Sequence, residues 1–245
     1  MEMMGDFIYT EAKPLPVILL LDTSGSMSRD DNIGTMNRAV REMLMDFKSA
    51  ANSEASISVA IVVFGHKTGI YMPLTDIKDI DVESISMTAD GMTPLGLALD
   101  ITKKMIEDKT QIPSRAYRPT VVLVSDGEPN DEWQGPLDRF MNEGRSSKCY
   151  RMAMGIGAGS QGRSYDILRS FISNGEYVFS ASDANGISKF FQYVSMSTTG
   201  RATSANPNLI PKAASVLKLE SGGAGTVSSG ESQSDDDIPG DLFAF

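Results

Sequence analysis

The stretch Val17-Ile-Leu-Leu-Leu-Asp22-Thr-Ser-Gly-Ser26 decides the fold class. Five successive apolar residues without alternation are typical of a strand that is buried on both faces of a parallel sheet. The run ends at Asp22, and two serines follow at alternating positions with Gly25 between them. Because glycine permits a tight turn, the three oxygen-bearing side chains can converge there. We therefore predict a central strand whose carboxyl end leads directly into an oxygen-rich loop.

Residues 14–200 continue with an alternation of strand-like and helix-like patterns. Helices are predicted where apolar residues recur every three or four positions, and strands where short apolar runs are bounded by turn residues. The predicted helices cover 31–47, 94–109, 136–146, 164–172 and 184–196, and the predicted strands cover 17–21, 56–64, 70–74, 117–125, 150–156 and 177–180. Alternating strands and helices predict an α/β fold with a Rossmann-like, doubly wound, mainly parallel sheet of about six strands flanked by helices. The close pair 56–64 and 70–74 predicts a hairpin with one antiparallel edge strand.

Three separate segments place oxygen-bearing side chains at the ends of predicted strands or the start of a predicted helix. The candidate metal ligands are Asp22, Ser24, Ser26, Thr93 and Asp126. Ligands of open α/β sheets bind outside the carboxyl ends of the strands, so we expect these side chains to converge. Each serine or threonine has an alternative role as a turn former or helix cap. In particular, Thr93 is a candidate cap for a helix that begins at Pro94.

Two carboxylates and three hydroxyls form an all-oxygen set, which suits a hard divalent cation. Mg²⁺ is the first choice, with Mn²⁺ and Ca²⁺ as alternatives, because one or two carboxylates together with waters usually hold Mg²⁺. The chain contains one His and one Cys, which excludes an ordinary zinc site built from those residues. Since two carboxylates balance the charge of the ion, a remaining coordination position is available to an acidic residue of a partner.

The charge balance restricts the classes of partner. The chain carries 22 Lys plus Arg against 32 Asp plus Glu, a net charge of −10. This excess argues against nucleic acid and against anionic membrane surfaces, so we expect protein partners. The acidic amino terminus does not resemble a signal peptide, and no apolar run reaches the roughly 20 residues of a membrane span. These features favour a soluble, cytoplasmic protein.

Composition divides the chain into three parts: an N-terminal extension at 1–13, a domain at 14–200 and a tail at 201–245. Residues 220–245 contain six acids and no Lys or Arg, so we expect the tail to be disordered. The tail ends in the apolar cluster Asp-Leu-Phe-Ala-Phe at 241–245. It is either a solubilising segment or a short docking peptide.

The pattern Asp22-x-Ser24-x-Ser26, with Thr93 and Asp126, resembles the metal-ion-dependent adhesion site of the von Willebrand factor A (VWA) domain. The resemblance covers roughly residues 14–200. It is closest to the TerY-like branch of bacterial tellurium-resistance and stress operons, through the segments LPVILLLDTSGSM, YRP, SDGEPNDEW and FFQYVSMS. Two departures from that branch are Asn130, where Thr is expected, and Tyr193, where Trp is expected.

The resemblance implies a Rossmann-like fold, a divalent metal and a non-enzymatic binding module. TerY-like proteins are often encoded beside a kinase-like protein and a PP2C-type phosphatase, which suggests partners of those classes. Our leading hypothesis is therefore a metal-dependent, protein-binding adaptor. Its expected partner-binding rim consists of Met27, Arg29, Met92, Glu128, Asn130 and Trp133, although packing is an alternative role for Trp133.

The main alternative function is a magnesium-dependent hydrolase that uses the same carboxylates. The residues argue against it, because no general base or covalent nucleophile is expected beside them. His66 is predicted at the sheet edge, away from Asp22, and Cys149 near a buried strand with no partner residue. Gly157, Gly159 and Gly162 have the spacing of a dinucleotide-binding loop, but they follow the fifth strand instead of the first. A third hypothesis is a degenerate metal site with the tail as the binding segment.

Overall fold

The computed structural model describes residues 12–50, 55–157, 162–174 and 176–210. Its strands are β1 (Lys13–Thr23), β2 (Ala55–Gly65), β3 (Gly69–Asp76), β4 (Thr120–Ser125), β5 (Tyr150–Ile156) and β6 (Val178–Ala181). Its α-helices are α1 (Asn32–Ser49), α2 (Leu95–Glu107), α3 (Gln134–Asn142), α4 (Arg163–Phe171) and α5 (Ala184–Ala202). The predicted alternation of strands and helices is confirmed.

The strands form one six-stranded sheet in the order β3-β2-β1-β4-β5-β6. All neighbouring pairs are parallel except β2 and β3, which form the predicted antiparallel hairpin at one edge. In the central pair, Asp22 lies opposite Phe64 and Thr23 opposite Gly65. The carboxyl ends of β1, β2 and β4 therefore meet at one end of the sheet, as the α/β prediction requires.

Strand β1 is buried on both faces, which explains its continuous apolar run. Leu19 and Leu21 belong to the core layer beneath α1 and α5, whereas Ile18 and Leu20 belong to the opposite layer beneath α2, α3 and α4. All four side chains are 0% exposed. Because successive side chains of a strand point to opposite faces, only a strand covered on both sides requires apolar residues at every position.

Several predicted boundaries shift for local reasons. The strand predicted at 117–125 begins at Thr120, after Pro119, and the helix predicted at 136–146 ends at Asn142, before the left-handed Gly144. Helix α5 continues six residues past the predicted end at Met196, as far as Ala202. The extension predicted at 1–13 and the tail predicted at 201–245 lie largely outside the described residues. Within the described residues, no helix combines the length and the apolar character needed to cross a membrane.

Candidate metal centre

The loop after β1 is folded by its own polar groups. The backbone N–H of Ser24 donates a hydrogen bond of 2.8 Å to Oδ1 of Asp22, which curls the chain immediately after the strand. The next N–H, of Gly25, donates to the carbonyl oxygen of Gly91 at 3.0 Å. This second bond ties the first loop to the segment that carries Thr93, so two of the three predicted ligand segments are in direct contact.

Hydroxyl groups connect the two carboxylates to their surroundings. Oγ of Ser26 donates to Oδ1 of Asp126 at 2.7 Å, and the Oγ atoms of Ser24 and Ser26 are 3.0 Å apart. On the other side, Oγ of Ser125 donates to Oδ2 of Asp22 at 2.6 Å. The structure therefore brings Asp22, Ser24, Ser26 and Asp126 together, although they come from strands that are far apart in sequence.

Thr93, the fifth predicted ligand, is 9% exposed and is positioned by Asn130. The N–H of Thr93 donates to Oδ1 of Asn130 at 3.0 Å, and the N–H of Asn130 donates back to the carbonyl oxygen of Thr93 at 3.2 Å. These reciprocal bonds fix the segment before α2 against the loop that follows β4. Asn130 was predicted as a rim residue, and it also holds this part of the site.

The prediction that Thr93 caps a helix starting at Pro94 is wrong. Helix α2 begins at Leu95, with Pro94 in the cap position and no cap bond from a local side chain. The carboxylate of Asp131 instead accepts the N–H groups of Gly96 and Leu97, each at 3.0 Å. Because Asp131 comes from the loop after β4, the first turn of α2 is satisfied by a residue distant in sequence, and sequence reasoning did not identify it.

Burial makes the two carboxylates costly to ionise in the absence of a cation. Asp22 is 0% exposed, and its burial raises its pKa to about 6, although hydrogen bonds from Ser125 and Ser24 act in the opposite direction. Burial also raises the pKa of Asp126, against the lowering effects of the Ser26 hydroxyl and the Arg29 charge. A group of acids with raised pKa values favours binding of a positive charge.

The donor set fits a hard divalent cation. Its converging side chains offer carboxylate and hydroxyl oxygens without sulfur or imidazole, which is the ligand chemistry of Mg²⁺, Mn²⁺ and Ca²⁺. No group of three or more His, Cys, Asp or Glu residues suited to a metal occurs among the described residues. The candidate centre therefore depends on hydroxyl groups as well as carboxylates.

Four of the six predicted rim residues are exposed around this centre. Met92 is 67% exposed, and Arg29, Glu128 and Asn130 are also exposed. The predicted rim role of Met27 is wrong, because its side chain is 0% exposed and lies in the core layer beneath α1. Trp133 is partly buried and packs against the other core layer. The exposed rim is therefore smaller than predicted, and its acidic member Glu128 is 3.5 Å from Arg163.

His66 lies closer to the candidate centre than predicted. It directly follows β2, which is the inner neighbour of β1 instead of an edge strand. The N–H of His66 donates to the carbonyl oxygen of Asp90, and the N–H of Asp90 donates to that of Thr23, both at 2.8 Å. His66 and Thr23 line a cleft of about 370 Å³. The prediction of an edge position away from Asp22 was wrong because the hairpin places β3, not β2, at the edge.

Cys149, the glycine motif and Ser125 lie outside the predicted ligand set. Cys149 is 4% exposed, and burial raises the pKa of its thiol to about 12, which disfavours the reactive thiolate. Gly157 and Gly162 have positive φ angles of 66° and 114°, while Gly159 between them lies outside the described residues.

Sequence reasoning assigned no role to Ser125, which contacts Asp22. Its position at the end of β4 beside Asp126 was the available signal.

The fold and the site together define the class of protein. The family model for the von Willebrand factor type A domain matches residues 17–193. Since this range is most of the chain, the protein belongs to that family. VWA domains often contain a metal-ion-dependent adhesion site and mediate protein interactions.

The chain is similar to one curated protein in sequence and to solved structures in fold. Calcium-activated chloride channel regulator 1 of Bos taurus is 26% identical over 217 residues, which cover 86% of this chain and 22% of the relative. Proximal thread matrix protein 1 from the mussel byssus, solved with a zinc-occupied MIDAS motif, aligns with a TM-score of 0.57 at 18% identity, over 75% of this chain and 45% of that chain. A von Willebrand factor type A structure from Catenulispora acidiphila aligns with a TM-score of 0.54 at 19% identity, over 78% of this chain and 44% of that chain. The chain thus spans about a fifth of the curated relative.

Proposed function

We propose that this protein is a non-enzymatic adaptor that binds a partner protein through a divalent metal ion. The ligands of the ion would be Asp22, Ser24, Ser26, Thr93 and Asp126. The bound ion supplies a positive charge at the carboxyl end of the sheet, where a carboxylate of the partner can complete its coordination. The observation that carries the proposal is the convergence of buried and half-buried carboxylates and hydroxyls, linked by hydrogen bonds of 2.6 to 3.0 Å.

The arrangement favours binding over hydrolysis. Burial raises the pKa values of Asp22 and Asp126, which means that their ionised forms are disfavoured in the metal-free site. A bound cation would stabilise these ionised forms. Exposed residues of different character surround the ligands, including the apolar Met92 and the basic Arg29. Such a mixed rim provides contact area for a protein surface around one strong central interaction.

We assign Mg²⁺ as the resident ion. Mg²⁺ is usually bound through one or two carboxylates and retains several waters, which matches a site with only two acidic ligands. Mn²⁺ and Ca²⁺ share the preference for oxygen. Zinc occupies the corresponding motif in the mussel byssus protein, so Zn²⁺ belongs among the competitors in any measurement.

We also propose a class of partner and a biological setting for this protein. The resemblance of the sequence to TerY-like proteins favours a bacterial, cytoplasmic stress or phospho-signalling system. Within it, a kinase-like protein or a PP2C-type phosphatase would contribute the acidic residue. No role for nucleic acid or membrane is included, because the net charge of −10 opposes binding to either.

The first test measures metal binding by titration calorimetry at neutral pH. Wild type should bind Mg²⁺, while Asp22→Asn should lose at least about 100-fold in affinity, since the change removes one of two charged ligands and preserves shape. Asp138→Asn is the matched control, because Asp138 is an exposed carboxylate on α3 that contacts Asn142. Parallel titrations with Mn²⁺, Ca²⁺ and Zn²⁺ rank the ions.

The second test captures candidate partners from lysate with wild type, Asp22→Asn and Asp138→Asn, each in Mg²⁺ and in EDTA. The proposal expects a kinase-like or phosphatase protein with wild type and Asp138→Asn in Mg²⁺ only. Equal capture in every condition would refute the metal-mediated mechanism. Wild-type Mg²⁺ affinity in Asp22→Asn would refute the assigned ligand set independently of any partner.

A further inference from the structure

A basic cleft opens at the amino end of the sheet, opposite the candidate metal centre. The cleft has a volume of about 360 Å³ and lies where β4 and β5 begin. Its walls include Arg118, Arg145, Lys148 and Asn208, and no Asp or Glu is among the described residues that line it. In a chain with a net charge of −10, such a concentration of cations is unusual and marks a surface that attracts carboxylates.

The walls of this cleft are fixed by hydrogen bonds. The guanidinium group of Arg145 donates to the carbonyl oxygen of Ile106 at 2.6 Å and to that of Pro113 at 3.4 Å. The backbone N–H of Arg118 donates to Oδ1 of Asn208 at 2.8 Å. Arg118 and Lys148 remain exposed. The cleft therefore presents two exposed cations on a backbone that is already ordered, which lowers the entropic cost of binding.

The carboxylate of Glu107, which contacts the backbone of Arg145 in the cleft wall, is already engaged. Glu107 accepts hydrogen bonds from the backbone N–H groups of Arg145 and Ser146, and it is 3.2 Å from Nζ of Lys103. These contacts lower its pKa although burial acts in the opposite direction. Since Glu107 is satisfied by these groups, it does not neutralise the exposed cations of the cleft.

The chain itself supplies a segment of complementary charge. Residues 220–245 contain six acids, including the run Asp235, Asp236 and Asp237, and no Lys or Arg. Asn208 is part of the cleft wall, so the segment 211–245 starts only three residues from the cleft. About 25 residues separate Asn208 from the acidic run, a length of chain that can reach across roughly 25 to 30 Å. Such a tether gives an effective concentration on the order of millimolar.

We propose that the acidic C-terminal segment binds intramolecularly in the basic cleft, through the carboxylates of Glu231 to Asp241. The interaction occupies the end of the sheet opposite the metal ligands. It therefore leaves the candidate metal centre uncovered and does not depend on the proposed adaptor function. Because it consists of exposed ion pairs, it is weakened by salt and can be displaced by another acidic peptide.

Zero-length carbodiimide cross-linking of the full chain tests the proposal, because this reagent joins carboxylates to lysine amines. Peptide mapping should find links from residues 231–241 to Lys148 several-fold more often than to Lys67, an exposed lysine at the opposite end of the sheet. The excess should disappear at about 0.5 M salt, where the screening length falls to a few ångströms. Equal yields at the two lysines would overturn the proposal.

Charge reversal provides the matched comparison. Arg118→Glu should reduce the links at Lys148 several-fold without changing those at Lys67, and Arg38→Glu, an exposed reversal on α1, should change neither. Unchanged links in Arg118→Glu would contradict the assignment of the cleft. Mixing ¹⁴N- and ¹⁵N-labelled protein separates links within a chain from links between chains. In a 1:1 mixture, links within a chain carry one label only, whereas a mixed-label share that approaches about half would place the tail of a second copy in the cleft and refute the intramolecular form.

Discussion

The two ends of the sheet bury polar groups for opposite purposes. At the carboxyl end, Asp22 and Asp126 receive hydrogen bonds from hydroxyls but no compensating cation from a buried side chain, and burial raises both pKa values. At the amino end, Arg201 is 0% exposed, and its guanidinium donates to Oγ1 of Thr120, the carbonyl oxygen of Arg118 and that of Pro207. The carboxylates keep charge that a bound cation can neutralise. In contrast, each of the three guanidinium nitrogens of Arg201 donates a hydrogen bond that joins α5 to other segments of the fold.

Removal of the buried Arg201 should have the largest effect on stability and leave metal binding unchanged. Arg201→Met keeps a long side chain but leaves three oxygen acceptors without their donor, so the free energy of unfolding should fall by roughly 3 to 5 kcal/mol. Urea unfolding measures the loss, and Arg169→Met, an exposed change on α4, is the control. Mg²⁺ affinity of the folded variant should stay at the wild-type value. A variant that keeps its stability would show that Arg201 is not a structural clamp.

The comparison also explains what could be read from the sequence. The apolar run before Asp22 and the helical periodicity of α1 are local patterns, so the fold class and the convergence of Asp22, Ser26 and Asp126 were predictable. Arg201 follows a polar stretch of α5, and its burial depends on contacts with Thr120 and Pro207 that no local pattern encodes.

The predicted positions of His66 and Met27 were wrong because they depend on tertiary structure. His66 was predicted at the edge because it lies in the turn of the edge hairpin, and the sequence pattern did not show that the strand before it, β2, pairs directly with β1. Met27 was assigned to the rim because it follows the serine loop, although the short 3₁₀ turn Gly25–Asp31 directs its side chain into the core. Strand order and the direction of a loop side chain are tertiary properties, which spacing alone does not fix.

A pH titration of metal-free protein sharpens the contrast at the carboxyl end. Burial raises the pKa of Asp22 from its ordinary value of 3.8 to about 6, so the folded state holds this proton more tightly than the unfolded state. The wild type should therefore lose stability as pH rises from about 4 through 6. Relative to Asp22→Asn, which does not titrate, the loss should reach about 3 kcal/mol at pH 8.

Urea unfolding in EDTA at pH 4, 6 and 8 measures this difference. Asp126 titrates in both proteins, so its contribution largely cancels between them. Saturating Mg²⁺ should restore the stability of wild type at pH 8 and leave that of Asp22→Asn unchanged. A difference between the two proteins that stays constant with pH would show that burial does not raise the pKa of Asp22.

The smallest expected change in stability concerns Asp131. This residue lies at the carboxyl end of the sheet, but, like Arg201, it connects separate segments of the fold through hydrogen bonds. Its carboxylate satisfies the N–H groups of Gly96 and Leu97, so Asp131→Ala should cost about 1 to 2 kcal/mol, as the loss of a helix cap does. Asp138→Ala, an exposed change on α3, should stay within about 0.5 kcal/mol of wild type. Because the first turn of α2 directly follows Thr93, Mg²⁺ affinity of Asp131→Ala should also fall a few-fold, while that of Asp138→Ala should not. Loss of stability without loss of Mg²⁺ affinity would mean that Asn130 alone sets the position of Thr93. Asp131 would then stabilise the fold without contributing to metal binding, although it lies at the same end of the sheet as Asp22.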